Sequence, residues 1–131
     1  MLRLILFTCV ISFSSFADDG SRLWLKYDLI QDAAVRKGYA KSLKKIVLTE
    51  QTETSKVAAS ELQEALKGLL GKDINISNVE SGTNTIILKI DSKATVHGKE
   101  GFEIKQTGKN TTITSQTDVG LLYGTLAFIR Q

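Results

Sequence analysis

Apolar residues recur along this chain at two spacings, and the switches between them mark the elements. "KKIVLTE" (44–50) is a short β-branched run that predicts a strand. "TSKVAASELQEALKGLLGKD" (54–73) changes to spacings of three and four, with Val57, Ala58, Leu62, Ala65, Leu66 and Leu69 in one stripe. Thr54 or Ser55 is placed to cap this helix and Gly71 to end it, while Lys56, Glu61, Gln63, Glu64 and Lys67 stay outside. Period two then returns. "INISNV" puts Ile74 and Ile76 on one face. "NTIILKI" puts Ile86, Leu88 and Ile90 on one face and Ile87 on the other, the pattern of a central strand covered on both sides. "GFEIKQ" and "TTITSQ" alternate across "TGKN" as a hairpin, with Phe102, Ile104 and Ile113 toward the core and Lys105, Thr112 and Thr114 outward. Upstream, "SRLWLKYDLI" (21–30) alternates as a first strand. "QDAAVRKGYAKSL" (31–43) shows no period and reads as a connection with a helical turn. The predicted order is strand, strand, helix, four strands, helix. The class is α/β of the α+β type, a mixed sheet covered by helices on at least one face.

The closing segment, "TDVGLLYGTLAFIRQ", is a helix of a different kind. Thr117 or Asp118 caps it, and Asp118 suits the positive end of its dipole. Val119, Leu122, Tyr123, Leu126 and Ile129 form a bulky stripe, Leu121 and Phe128 lie opposite, and Gly120, Gly124 and Ala127 form a strip of small residues between. Each mid-helix glycine costs about 1 kcal/mol relative to alanine, so a close backbone approach is expected to offset it. Two apolar faces imply two partners. One sheet covers one of them, and the simplest candidate for the other is more of the same polypeptide. The segment reads as the end of a fragment rather than of a finished domain, with a homodimer as the competing explanation.

The N-terminus reads as a targeting signal. "MLR" is a basic start and "LILFTCVISFSSF" an apolar run too short to span a bilayer, and Ser15 and Ala17 supply the small residues of a cleavage site. Residues 1–17 are therefore expected to be a signal peptide, residues 18–131 the mature domain, and the destination periplasmic or secreted. Cleavage removes Arg3 from the 17 basic residues, which face 14 acidic ones, leaving a charge of about +2 in place of +3. So weak and scattered a charge does not point to nucleic acid or to a membrane surface. Cys9, the only cysteine, lies in the signal, so the mature chain has no disulfide or thiolate chemistry.

Three stretches together resemble the N-terminal domain of bacterial and fungal α-glucuronidases of glycoside hydrolase family 67. "LWLKYDLI" is similar to the family's Leu-Trp-Leu-Arg-Tyr opening, with Lys26 where arginine is common. "AASELQEALKGLLGKDI" is similar to its first helix, and "GFEIKQTGKNTTITSQTDVGLLYGTLAFIRQ" to its hairpin and Leu-Tyr-Gly helix. The resemblance runs from Ser21 to Gln131. It implies an accessory domain of the type also found in β-hexosaminidases, followed by a (β/α)8 barrel that carries the catalytic carboxylates and receives the xylooligosaccharide. It further implies inverting hydrolysis of α-1,2-linked (4-O-methyl)glucuronic acid, and an inactive fragment when the barrel is missing. Alternatives are the equivalent domain of a β-hexosaminidase-like enzyme and a stand-alone carbohydrate-binding or interaction module.

No catalytic, cofactor-binding or metal-binding residue is assigned, and no cofactor is expected. Glu61, Glu64, Asp91, Glu100, Glu103 and Asp118 fit solvent-facing or capping roles, and His97 in "KATVHGKEG" reads as a solvated histidine. Trp24, Tyr27, Tyr39 and Tyr123 are the aromatic candidates for stacking on sugar, with burial expected for Trp24.

Overall fold

A computed structural model describes residues 27–130. The expected signal and the Leu23–Lys26 alternation lie outside those residues, as does Trp24. The elements run α1 (Ala33–Ser42), β1 (Lys45–Leu48), α2 (Glu53–Leu70), β2 (Asn75–Ser77), β3 (Thr85–Ile90), β4 (Phe102–Thr107), β5 (Asn110–Ser115) and α3 (Asp118–Ile129).

Two early segments differ from the sequence expectation. Residues 27–30 join no strand. They lie along α2 instead, where Ile30 N–H donates to Leu69 O at 3.0 Å and Tyr27 fills the space beside Gly68. The aperiodic stretch 31–43 holds a helix of 10 residues, α1. Its ends explain why it forms. Asp32 Oδ1 accepts from Ala34 N (2.8 Å) and Val35 N (3.0 Å), and those N–H groups hold its carboxyl below the usual range, Val35 foremost. Lys72 Nζ closes the other end on Ala40 O (2.8 Å) and Leu43 O (3.1 Å). No α1 residue is fully buried, so there was no apolar stripe for periodicity to detect.

The five strands form one sheet in the order β2-β1-β3-β5-β4, parallel except where β4 returns beside β5. β3 is central, as its apolar run predicted. Register aligns Leu48, Leu88, Ile113 and Ile104 in one row across the sheet, with Ile46 and Ile86 in the next row on the same face. Helices α2 and α3 pack on that face and against each other. Ile46, Ile86, Leu88, Ile113, Leu62 and Leu121 are inaccessible there. On the opposite face Val47 and Ile87 pair and are also buried. Lys45 pins the crossover from β2 to β3 on that side, donating to Val79 O (3.1 Å) and Ser81 Oγ (3.0 Å). Ile76, expected inward with Ile74, is exposed because β2 is the sheet edge. The β4–β5 turn forms at Gly108, whose φ of +60° suits glycine.

Helix α2 begins earlier than expected, with Thr52 as its cap in place of Thr54 or Ser55. Ser55 is unavailable for that role: its hydroxyl turns back to Glu50 O (2.5 Å) and Thr52 O (3.1 Å), while its own N–H donates to Thr52 Oγ1 (3.0 Å). Gly71 ends the helix in the left-handed region, φ +66°. The buried stripe is Ala58, Ala59, Leu62, Ala65, Leu66 and Leu70, with Leu69 half-buried. Val57 lies off its edge, 51% exposed.

Helix α3 presses its small face onto the hairpin. Thr117 caps it, with Oγ1 accepting from Gly120 N at 3.1 Å. A Cβ on Gly124 would stand 2.8 Å from Ile113 Cγ2 and 2.9 Å from Phe102 Cβ and Cγ. A Cβ on Gly120 would collide with the Ser115 hydroxyl and meet Gly101 O at 2.9 Å. The mid-helix glycines are there because the hairpin occupies the space of their missing side chains. The two helix starts are also joined: Thr52 Oγ1 donates to Asp118 Oδ2 at 3.0 Å.

This packing sets stability at three positions that substitution can test. Gly124→Ala should lower unfolding free energy by about 1–3 kcal/mol, because overlap with Ile113 and Phe102 outweighs the gain in helix propensity. Gly38→Ala in α1, where a Cβ meets nothing within 4 Å, should instead raise it by about 0.5–1 kcal/mol. Thr52→Ala should cost about 1–2 kcal/mol by removing both the α2 cap and the link to Asp118, and Thr52→Ser should restore most of it. Urea unfolding curves followed by circular dichroism measure all four; equal stability of the two glycine variants would contradict the packing account.

Candidate docking face on the terminal helix

With Gly120, Leu121, Gly124 and Thr125 turned inward, the bulky stripe of α3 is left on the outside over the first part of the helix, while Ile129 at its end packs against the core. Val119 is 40% exposed and Tyr123, one turn on, 44%. Leu122 and Leu126 are half-buried beside them. Phe102, expected in the core, adds to this surface at 38% exposed. β4 is the edge strand, and Gly124 presses on the inner part of the Phe102 side chain, leaving the ring's outer flank open. The result is an apolar face made of Val119, Tyr123 and Phe102. Single exposed apolar residues are ordinary on a monomer, but large ones grouped on one helix and its supporting strand mark a contact surface.

The face is held rigidly. The Thr117 hydroxyl donates to Lys99 O, and Ser115 Oγ donates to Gly101 O at 2.7 Å, tying the loop before β4 to the start of α3. Asp118 Oδ1 accepts from Val119 N at 2.9 Å while its other oxygen takes the Thr52 hydroxyl. Of the two capping candidates read from sequence, Thr117 is the cap, and Asp118 is the first residue of the helix, its carboxylate at the positive end of the dipole. Thr125 returns its hydroxyl to Leu121 O at 2.8 Å, so the polar atom on the buried face is satisfied within the helix.

The other sequence candidates are dispersed. Glu61 and Glu64 lie on α2, Glu103 on β4, and Glu100 and His97 in the exposed loop before β4. Asp91 follows β3, where Lys93 N–H foremost, with Lys89 at 3.5 Å, holds its carboxyl below the usual range. A group of three or more His, Cys, Asp and Glu side chains arranged for a metal ion is absent among the described residues. Tyr27 is a packing residue. Its hydroxyl is buried without a hydrogen-bond partner, and burial, then the Glu61 carboxylate, raises its pKa against an opposing effect of Arg130. Tyr39 and Tyr123 are the exposed tyrosines, at 53% and 44%. None of the described helices is long and apolar enough to cross a membrane.

This architecture has known counterparts. Over 66% of its length the chain superimposes on 10% of a GH138 enzyme targeting pectin rhamnogalacturonan II, with a TM-score of 0.56 and 31% identity. It is 24% identical to alpha-glucuronidase A of Emericella nidulans across the whole chain, and 25% identical to the alpha-glucuronidase of Hypocrea jecorina across 87% of it. It spans 17% and 15% of the lengths of those two relatives. The pattern described as glycosyl hydrolase family 67 N-terminus matches residues 23–128, which takes in all five strands and nearly all of α3. The chain belongs to the N-terminal domain family of the family 67 glycosyl hydrolases.

Proposed function

We propose that this chain is the non-catalytic N-terminal domain of a secreted α-glucuronidase, and that the outer face of α3 seats the catalytic (β/α)8 barrel of the same polypeptide. The observation that carries the reading is the apolar face of Val119, Tyr123 and Phe102, in a domain that spans 17% of an alpha-glucuronidase's length. A domain with one face packed on its own sheet and another apolar face open has the form of an interdomain unit. The reaction proposed for the parent is removal of α-1,2-linked (4-O-methyl)glucuronic acid from xylooligosaccharides. In the inverting form, one carboxylic acid protonates the leaving oxygen and a second carboxylate activates a water on the opposite face of the sugar ring. Both carboxylates are assigned to the barrel. The role left to this domain is to support the barrel. Residues 1–17 are proposed as the signal that exports the polypeptide to the periplasm or beyond.

The parent polypeptide is expected to release glucuronic acid from aldouronic oligosaccharides, as measured by chromatography of the products, and the 131-residue chain to release none. Activity of the short chain would overturn the non-catalytic assignment. Replacing Val119 and Tyr123 together by serine should change the stability of the isolated chain by less than about 0.5 kcal/mol, the usual range for surface positions. In the parent the same pair should lower the melting temperature by several degrees and open a protease-sensitive site between domains. A parent indifferent to both substitutions would show that the barrel sits elsewhere.

A further inference from the structure

A second surface lies away from the docking face, where the C-terminal end of α1, the start of β3, the β4–β5 turn and the last turn of α3 meet. It is a groove of about 710 Å³, within the range of small-ligand sites. Lys41, Lys44 and Lys109 line it, and no carboxylate is among the described residues that do. Its apolar lining includes Leu43, Phe128 and Tyr39, and its polar groups are Ser42, Asn84, Gln106 and Thr111.

The fold places these groups together from separate parts of the chain. Lys41 is in the last turn of α1. Lys44 precedes β1, and its N–H donates to Asn84 O at 2.8 Å, which brings β3's approach alongside. Asn84 holds φ at +64°, a conformation asparagine tolerates better than most residues. Lys109 sits at the tip of the hairpin after Gly108.

The three lysines are uncommitted, as Lys37 and Lys105 are elsewhere on the surface, and what sets them apart is that they line one concavity. Lys56, Lys67 and Lys89 pair with Glu53, Asp73 and Asp91. Lys45 holds the β2–β3 crossover, and Lys72 caps α1. Because Lys72 already satisfies the terminal carbonyls of α1, Lys41 and Lys44 are not needed there. Among the described residues, no ion pair or side-chain hydrogen bond engages Lys41, Lys44 or Lys109. Three ammonium groups around one concavity repel each other and gain from a shared anion.

We propose that this groove binds an acidic oligosaccharide, with the lysines on its uronate carboxylate and adjoining hydroxyls. The lining favours a glycan over a phosphate. Ammonium groups are point donors that serve hydroxyl and carboxylate oxygens alike, whereas no arginine fork is present for bidentate grip on a phosphate. Tyr39, 53% exposed, offers a flat apolar surface of the kind a pyranose ring covers. Asn84, Gln106 and Thr111 supply side-chain donors and acceptors for ring hydroxyls, and Ser42 Oγ, whose own proton goes to Tyr39 O, a further acceptor. Identifying the acid as glucuronic acid rests on the α-glucuronidase reading above. The groove would hold the decorated chain as a second point of attachment, apart from the barrel.

The test is titration of the chain with xylotriose bearing one 4-O-methylglucuronic acid, with neutral xylotriose and with inorganic phosphate, followed by calorimetry and by backbone amide shifts. The acidic oligosaccharide should bind at least tenfold more tightly than xylotriose, shift the amides of 38–44 and 108–111, and weaken as salt is raised. The variant Lys41→Gln/Lys44→Gln/Lys109→Gln should lose at least tenfold in affinity with an unchanged melting temperature. Single Lys41→Gln and Lys109→Gln variants give the same reading, in smaller steps, if the triple variant is unstable. Equal binding of neutral and acidic sugars, no binding of either, retained affinity in the lysine variants, or phosphate binding as tightly at the same amides would each overturn the proposal. Failure here leaves the parent's glucuronate release untouched. Conversely, acidic binding in the groove with no glucuronate release by the parent would overturn the enzyme reading alone.

Discussion

The contact on which the rest of this domain depends is the seating of α3 on the β4–β5 hairpin through glycine. At Gly124 the Ile113 and Phe102 side chains occupy the space a Cβ would need, and at Gly120 the Ser115 hydroxyl does. Two glycines in a helix of 12 residues weaken it by about 2 kcal/mol as an isolated element. The offset is a close approach that buries Leu121 and Thr125 completely and brings α3 against α2 as well as the sheet. The geometry has a consequence on the other side. With the small residues inward, Val119 and Tyr123 are carried outward, and Phe102 is left at the rim.

The same contact orders the two helices. Thr52 caps α2 and reaches Asp118 in the first turn of α3, so both helix starts lie at one end of the sheet and share a hydrogen bond. Lys72, Lys45 and Asn84 act similarly on the α1 and β3 side, each a long-range tie from one element's terminus to another. The ties leave two open surfaces of opposite character: an apolar face on α3, and a groove with three unpaired lysines.

Much of this was legible in the sequence because it rests on local signals. The 3.6-residue stripe of α2, the apolar run of β3, the Thr-Gly-Lys-Asn turn and the glycine strip of α3 each predicted what was found. Family membership was legible too, since the three motifs lie almost wholly within the matched residues 23–128. The misses have physical causes. α1 buries nothing fully, and its stability comes from Asp32 and from Lys72, 32 residues beyond the Ala40 carbonyl it holds. The α2 cap shifted to Thr52 because Ser55 turned to Glu50. Ile76 and Phe102 alternated as core residues do, but edge strands leave such positions half open. The lysine groove could not be read at all: Lys41, Lys44 and Lys109 are brought together by topology, with no spacing to betray it.

The most direct test of the domain's proposed place is hydroxyl-radical footprinting of Tyr123 and Phe102, in the chain alone and in the longer polypeptide proposed for it. The account predicts that both rings are oxidised in the chain alone and protected in the parent, while Tyr39 is modified to a similar extent in both. Equal oxidation of Tyr123 in the two proteins would contradict the claim that the outer face of α3 seats the catalytic barrel.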